Sequence, residues 1–218
     1  MGTRGAFGFR VDDTDRVVYN HYDSYPSGLG RDMLQYVAEQ NIIHGDNLIP
    51  ALSGQARGMI KLEPDQKPTP EQIKELEPFT DLSVNGGRTD TFYTLLRKTQ
   101  GDPNLMLEAR YYTPADTFLR EGLFCEYAYI INLDKGVLEF YSGFFQPSEV
   151  KAGSGDLGRY WPDQNAAEEY GPVVHHADIP LAGIRADTID QHVEQMDASV
   201  EKAREVILGE EPDEDDDD

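Results

Sequence analysis

The chain opens on a period-two pattern. Ala6-Phe7-Gly8-Phe9-Arg10-Val11 alternates, Asp12-Asp13-Thr14-Asp15 supplies turn chemistry, and Arg16-Val17-Val18-Tyr19 resumes β-rich composition. That is the pattern of a hairpin. A polar, aromatic loop follows: Asn20-His21-Tyr22-Asp23-Ser24-Tyr25-Pro26-Ser27-Gly28-Leu29-Gly30. The period then changes. Met33, Leu34, Val37 and Ala38 recur at helical spacing and predict a helix over about 31–40. Residues 42–62 read as one or two short helices broken near Pro50 and Gly54, and 63–70 as a loop. Thr69 then Pro70 reads as an N-cap with proline at the first helical position, so 70–76 is a short helix. Asn85-Gly86-Gly87-Arg88 is a turn. Helices are expected over 89–99, with Phe92, Leu95 and Leu96 on one face, and over 105–112.

The strongest strand signal spans 124–133, rich in aromatic and β-branched residues. Asp134-Lys135-Gly136 turns the chain, and 137–141 returns as a second hairpin. Residues 146–169 are polar and glycine-rich, an exposed loop or a lid carrying Tyr160 and the single tryptophan, Trp161. Residues 173–177 are a candidate strand. A long helix over 187–208 has Ile189, Val193, Met196, Val200, Ala203 and Ile207 at spacings of three and four, with Asp187 as its cap. Strands and helices in this order predict one α+β domain over 1–208, with a largely antiparallel sheet of hairpins and flanking helices, and a disordered acidic tail over 209–218.

Composition narrows the classes. The 218 residues hold 19 Lys+Arg against 41 Asp+Glu, a net charge of -22. The tail Glu210-Glu211-Pro212-Asp213-Glu214-Asp215-Asp216-Asp217-Asp218 holds eight of the acids, yet the remainder is still at -14. Such a body repels phosphate backbones, so direct nucleic-acid binding is not expected. Two readings of the charge stay open: a solvated, solubilising surface, or an acidic mimic of DNA that occupies a basic groove on another protein. No apolar stretch approaches the length of a membrane span. No signal-peptide h-region is evident at the N-terminus, and Ala6 stands where a myristoylation signal wants Ser or Thr. The single cysteine, Cys125, excludes an intramolecular disulfide and a cysteine-rich zinc site. The expectation is a cytoplasmic protein without membrane association, cofactor or metal, its oligomeric state open.

Met1-Gly2-Thr3-Arg4-Gly5, the following hairpin and Tyr22-Asp23-Ser24-Tyr25-Pro26-Ser27-Gly28-Leu29-Gly30 together resemble a group of phage and bacterial proteins of unassigned activity. These share an MGTR-type start and an aromatic-Asp-x-Tyr-Pro-x-Gly-x-Gly segment. Residues 124–134 resemble their central hairpin. This resemblance implies a family and no particular chemistry. At the level of fold, a strand beginning almost at residue 1 is similar to the N-terminal nucleophile hydrolases. There the first residue of the mature chain attacks a carbonyl and its own α-amine, with a pKa near about 7.7–8.0, serves as base. That likeness implies Thr3 as nucleophile with Arg4, Asn20 or His21 assisting. Removal of Met1 exposes Gly2, so Thr3 becomes terminal only after a second cleavage. The alternative for these residues is a strand start whose glycines let backbone pack closely.

The Asn20–Tyr25 segment concentrates candidate chemistry. His21 can act as general base, Asp23 as its orienter and Ser24 as a hydroxyl. If the strand continues, His21 and Asp23 share one face while Tyr22 and Ser24 share the other. Alternatively Asp23 and Ser24 cap a turn, Pro26 fixes φ, and Gly28 and Gly30 start the helix. Gly28-Leu29-Gly30 before a helix suggests an anion site served by Arg4, Arg10 and Arg31, although Met33 stands where the third glycine of a dinucleotide fingerprint belongs. His175 and His176, being adjacent on a strand, point to opposite faces and do not chelate one ion. Cys125 is expected as a buried small hydrophobe, and Glu126 as a sheet-edge acid or a functional one. The leading expectation is an accessory protein that binds a protein or small molecule near the N-terminal strand and Arg4, Asn20, Tyr22, Ser24, Tyr25, Gly28 and Gly30. The alternatives are the Thr3 hydrolase, with His21 and Asp23 in its machinery, and DNA mimicry.

Overall fold

A computed structural model describes residues 2–63, 65–150, 154, 156–161 and 169–208. The opening hairpin is β1 (Gly5–Val11) and β2 (Thr14–Asn20), and the second is β5 (Tyr127–Asn132) and β6 (Val137–Ser142), with β7 (Val174–Pro180) added on β6. Between the hairpins lie α1 (Arg31–His44), α2 (Leu48–Arg57), β3 (Ile60–Lys61), α3 (Pro70–Glu75), α4 (Phe92–Leu95), α5 (Pro103–Ala109) and β4 (Tyr111–Tyr112). Helix α6 (Ile189–Ala203) follows β7 and continues into a wider turn over 204–208. The main sheet runs β2-β1-β5-β6-β7, and β3 and β4 form a small parallel pair. The fold is α+β with a mostly antiparallel sheet, as the element order predicts.

The exception is the centre of the sheet. β1 and β5 pair in parallel, with Gly5 opposite Tyr127 and Arg10 opposite Asn132. Joining the two hairpins there buries β5 on both faces, which suits its near-continuous apolar run. One face carries Phe7, Phe9, Tyr129, Ile131, Leu138 and Phe140 against α1, α2 and α6. The other is covered by irregular chain that brings Leu119, Cys125, Tyr160 and Val173 onto Ala6, Ala128 and Ile130. Cys125 is fully buried, as expected. Glu126 sits just before a central strand, not at a sheet edge, and accepts the Arg4 backbone N–H at 3.0 Å.

Several expectations change. Helix α2 runs through Pro50 and Gly54 without a break. Pro50 falls in its first turn, where the N–H would have no helical partner. The helix expected over 89–99 shrinks to α4 and a 3₁₀ turn over Arg97–Thr99. Asp90 is held by Arg88 at 2.7 Å, and the Thr99 hydroxyl donates to the Leu96 carbonyl at 2.8 Å, so the flanks hydrogen-bond locally instead of extending the helix. The helix expected over 105–112 begins earlier, at Pro103, capped by Asp102 accepting the Leu105 N–H at 3.0 Å. It ends at Arg110 with φ 60°, and Tyr111–Tyr112 then pair with β3. Asp187 does not cap α6. It pairs with Arg185 at 3.2 Å, and Thr188 precedes the helix. Thr69 caps α3 as expected, with Gln72 completing a capping box. Part of the expected lid, 151–153, 155 and 162–168, and the tail over 209–218 lie outside the described residues. Tyr160 and Trp161 are buried against the body.

The end of the sheet farthest from the Asn20 loop carries a buried ionic network. Glu139 is fully buried on β6. It pairs with Arg159 and accepts hydrogen bonds from Asn132 at 2.7 Å and Tyr141 at 3.0 Å. Arg159 also reaches Asp15 at 3.2 Å, and Asp15 accepts from Arg10 at 3.0 Å and Tyr160 at 2.8 Å. Burial raises the Glu139 carboxyl, but Arg159 and the surrounding donors more than offset this and hold it below the usual range.

Candidate functional site

Strand β2 ends at Asn20, so the alternation expected through Ser24 stops there. Ser24 is fully buried while Tyr22 stays 53% exposed, and the two do not share a face. The Asn20 side-chain amide donates to Ser24 Oγ at 2.9 Å and to the Tyr22 carbonyl. The Tyr129 hydroxyl donates to the Ser24 carbonyl at 2.9 Å. Ser24 is thus a packed linchpin between loop and sheet. His21 Nδ1 is hydrogen-bonded to the Tyr19 hydroxyl at 2.7 Å, and its ring packs edge-on to Tyr22 at 4.2 Å. The His21–Asp23–Ser24 relay is therefore not assembled. Burial, with Arg97 and Arg4 nearby, keeps the His21 imidazole below its ordinary pKa, hence neutral at pH 7.

The N-terminal strand does meet this loop. Ser24 donates its backbone N–H to the Thr3 carbonyl at 3.2 Å. A side chain at Gly2 would strike the Tyr22 ring at 2.3 Å, and one at Gly5 the Tyr127 carbonyl at 2.4 Å. These glycines permit the close backbone approach that the strand-start reading requires. The Gly28–Gly30 turn is equally tight. Leu29 donates to the Asp23 carbonyl at 2.8 Å, and a Cβ at Gly28 would come within 2.2 Å of that same oxygen. The three arginines expected at this turn are dispersed. Arg10 is at the far end of β1 with Asp13 and Asp15, Arg31 pairs with Asp190 at 2.6 Å, and Arg4 lies over the Phe124 ring at 5.1 Å. His175 and His176 face opposite sides, toward Asp178 and Ser142, as alternation predicts.

Two cavities flank the loop. The first, about 140 Å³, is apolar and lies between β2, α4 and the chain after β4, with Val18, Tyr19, Phe92, Tyr93, Leu96 and Pro114 in its wall. The second is an open polar trough of about 490 Å³ lined by Asn20, Tyr22, Asp23, Asp32, Arg97 and Asp102 among others. Gln100 belongs to both. Arg97 stands at the junction. Its guanidinium lies 5.4 Å from the Tyr22 ring centre and 5.7 Å from that of Tyr93, and donates to Gln100. No carboxylate of the described residues is within ion-pair distance of it.

Asn20, Tyr22 and Asp23 were visible in the sequence as a loop of candidate chemistry. Arg97, Tyr93 and Gln100 were not. They arrive from about 75 residues away through the packing of α4 and the turn after it, and carry no motif. The chain matches no family model, no curated protein and no solved structure in the comparisons made.

Proposed function

We propose that the protein binds a small molecule at the junction of the apolar cavity and the polar trough. The ligand carries an apolar body about the size of one aromatic ring and an anionic head. The observation that supports this is Arg97: a guanidinium with no carboxylate of the described residues within ion-pair distance, and with the Tyr22 and Tyr93 rings beside it where the cavities meet. Arginine on aromatic faces is pre-organised for a planar carboxylate or similar acid. A cavity of roughly 150 Å³ is known to accommodate benzene, so a volume of about 140 Å³ suits a phenyl ring or a branched aliphatic chain. Arg4 and Arg97 both act on His21, so two guanidinium groups lie on this side of the loop.

Phenylacetate, with hexanoate and benzyl alcohol as companions, provides the test by titration calorimetry. Phenylacetate should bind. Arg97→Ala should weaken it at least about tenfold, the scale of one charge-assisted bidentate contact, and Tyr22→Ala should weaken it less. Benzyl alcohol, with the ring but no acid, should bind more weakly than phenylacetate. Equal affinity of the native protein and Arg97→Ala for phenylacetate would overturn the reading.

A further inference from the structure

Strand β7 carries a histidine that the cleft does not use. The His176 ring lies against the Phe140 and Phe145 rings, with centres 5.5 Å and 5.8 Å away. Its Nε2 is hydrogen-bonded to the Ser142 hydroxyl on β6 at 2.7 Å, and Ser142 is itself buried. The other ring nitrogen, Nδ1, is buried and has no hydrogen-bond partner among the described residues. A neutral imidazole leaves one polar atom unpaired here. A protonated imidazole carries N–H on both nitrogens, so Nδ1 becomes a charged, buried donor without an acceptor.

The charges around the ring do not relieve this. On β7, His175 turns to Asp178 at 2.8 Å. From the turn after α6, Arg204 brings a cation. On α6, Asp197 acts instead on Tyr127 of β5, whose ring stacks on Phe140 with centres 6.2 Å apart. Burial, with His175 and Arg204 nearby, pushes the His176 imidazole down to about 3. An unfolded imidazole titrates near about 6.5. Below that pH the opened chain takes a proton that the folded chain refuses, so stability is full above it and falls as the pH drops. Asp197 has the opposite sign: partial burial and Glu201 raise its carboxyl, so protonating it favours the folded form.

The element that closes this region is the end of α6. Ala203, Ile207 and Leu208 pack with Phe145, Val174 and Trp161 in one apolar cluster. Val206, in the same turn, is 55% exposed, so the turn is held on one side only. We propose that His176 is a pH-operated latch on the turn over 204–208. While the ring is neutral, the turn stays closed over Phe145 and Val174. When the turn opens, the ring meets water and takes a proton, and mild acid therefore favours the open form. Opening uncovers Phe145, Val174 and Trp161. A single terminal turn opens at lower cost than the sheet beneath it, so this release precedes global unfolding.

Amide hydrogen exchange of the full chain at about pH 7.5 and about pH 5.5, corrected for intrinsic rates, tests the latch. Protection at Glu205, Val206, Ile207 and Leu208 should fall about tenfold, the factor supplied by one pH unit below about 6.5. His176→Gln keeps a polar group for Ser142 and does not titrate, so its protection should be the same at both pH values. Anilinonaphthalenesulfonate fluorescence should rise in acid for the native protein and not for His176→Gln, because only the native turn uncovers apolar surface. Independently of any variant, NMR of the native histidine ring should show it neutral in the closed form at the lower pH. Unchanged protection of the turn in acid, or an equal loss in His176→Gln, would overturn the proposal. So would a ring that titrates near about 6.5 in the closed form, or one protection factor shared by the turn and β5 at the lower pH.

Discussion

Arg159→Met should cost about 3–5 kcal/mol of unfolding free energy, the largest loss expected from a single substitution in this chain. The reason is what it leaves behind. Glu139 is fully buried, and Arg159 is its principal counter-charge. Lys135 approaches it at 3.4 Å but is itself largely exposed and replaces little of the pairing. Removing the guanidinium therefore strands a carboxylate inside the protein and unties Asp15 and Tyr141 together. The double variant Glu139→Leu with Arg159→Met should recover much of the loss, because deleting both charges removes the desolvation penalty along with the attraction. Chemical denaturation of the single and double variants checks this. A single variant within about 1 kcal/mol of the native protein would show that water or Lys135 already compensates Glu139.

Gly28→Ala is expected to have the largest effect on the site. The new Cβ would sit 2.2 Å from the Asp23 carbonyl and 3.0 Å from the Tyr25 ring. Backbone cannot yield as a side chain can, so the turn must open and the Leu29 hydrogen bond to Asp23 must lengthen or break. A cost of about 1–3 kcal/mol is the usual scale of such overpacking. The functional consequence should exceed the stability loss. Tyr22, Asp23 and Asp32 hang on either side of this turn, and its displacement separates them from Arg97. Phenylacetate binding should fall by at least about tenfold while the protein stays folded at room temperature. Melting temperature and calorimetry on one preparation distinguish the two effects. Native affinity in a destabilised Gly28→Ala protein would show that the turn does not set the cleft.

What was legible in the sequence was what nearby residues decide. Both hairpins were visible, because alternation and the Asp12–Asp15 and Asp134–Gly136 turns act locally. So was the Thr69–Pro70 helix start, where a side chain three residues away completes the cap. The parallel pairing of β1 with β5 was not, because Gly5 and Tyr127 are brought together only by the packing of everything between them. Helix ends were misread where side chains bond to nearby backbone, as Thr99 does, or where a residue such as Arg110 takes a left-handed conformation. The Asp102–Pro103 pair did carry a cap signal that periodicity alone passes over.

The site divides in the same way. The Asn20–Gly30 segment announced itself by composition, and it does border the cleft. Its apparent catalytic set dissolved because Ser24 turns inward and His21 turns to Tyr19. The groups that give the cleft its character, Arg97, Asp32 and Asp102, lie on separate elements. In the sequence they look like an ordinary charge, a helix-surface acid and a helix-cap acid. Only the meeting of α1 with the 97–104 segment makes them neighbours of one another.

The most direct test of the central claim is a backbone-amide NMR titration of the isotope-labelled protein with phenylacetate. Shifts should concentrate at Val18–Asp23, Tyr93, Arg97 and Gln100, saturate together, and require at least about tenfold more phenylacetate in Arg97→Ala. Shifts confined to the sheet end around Glu139 and Arg159, or a spectrum unmoved at saturating concentration, would contradict the assignment of this cleft as the binding site.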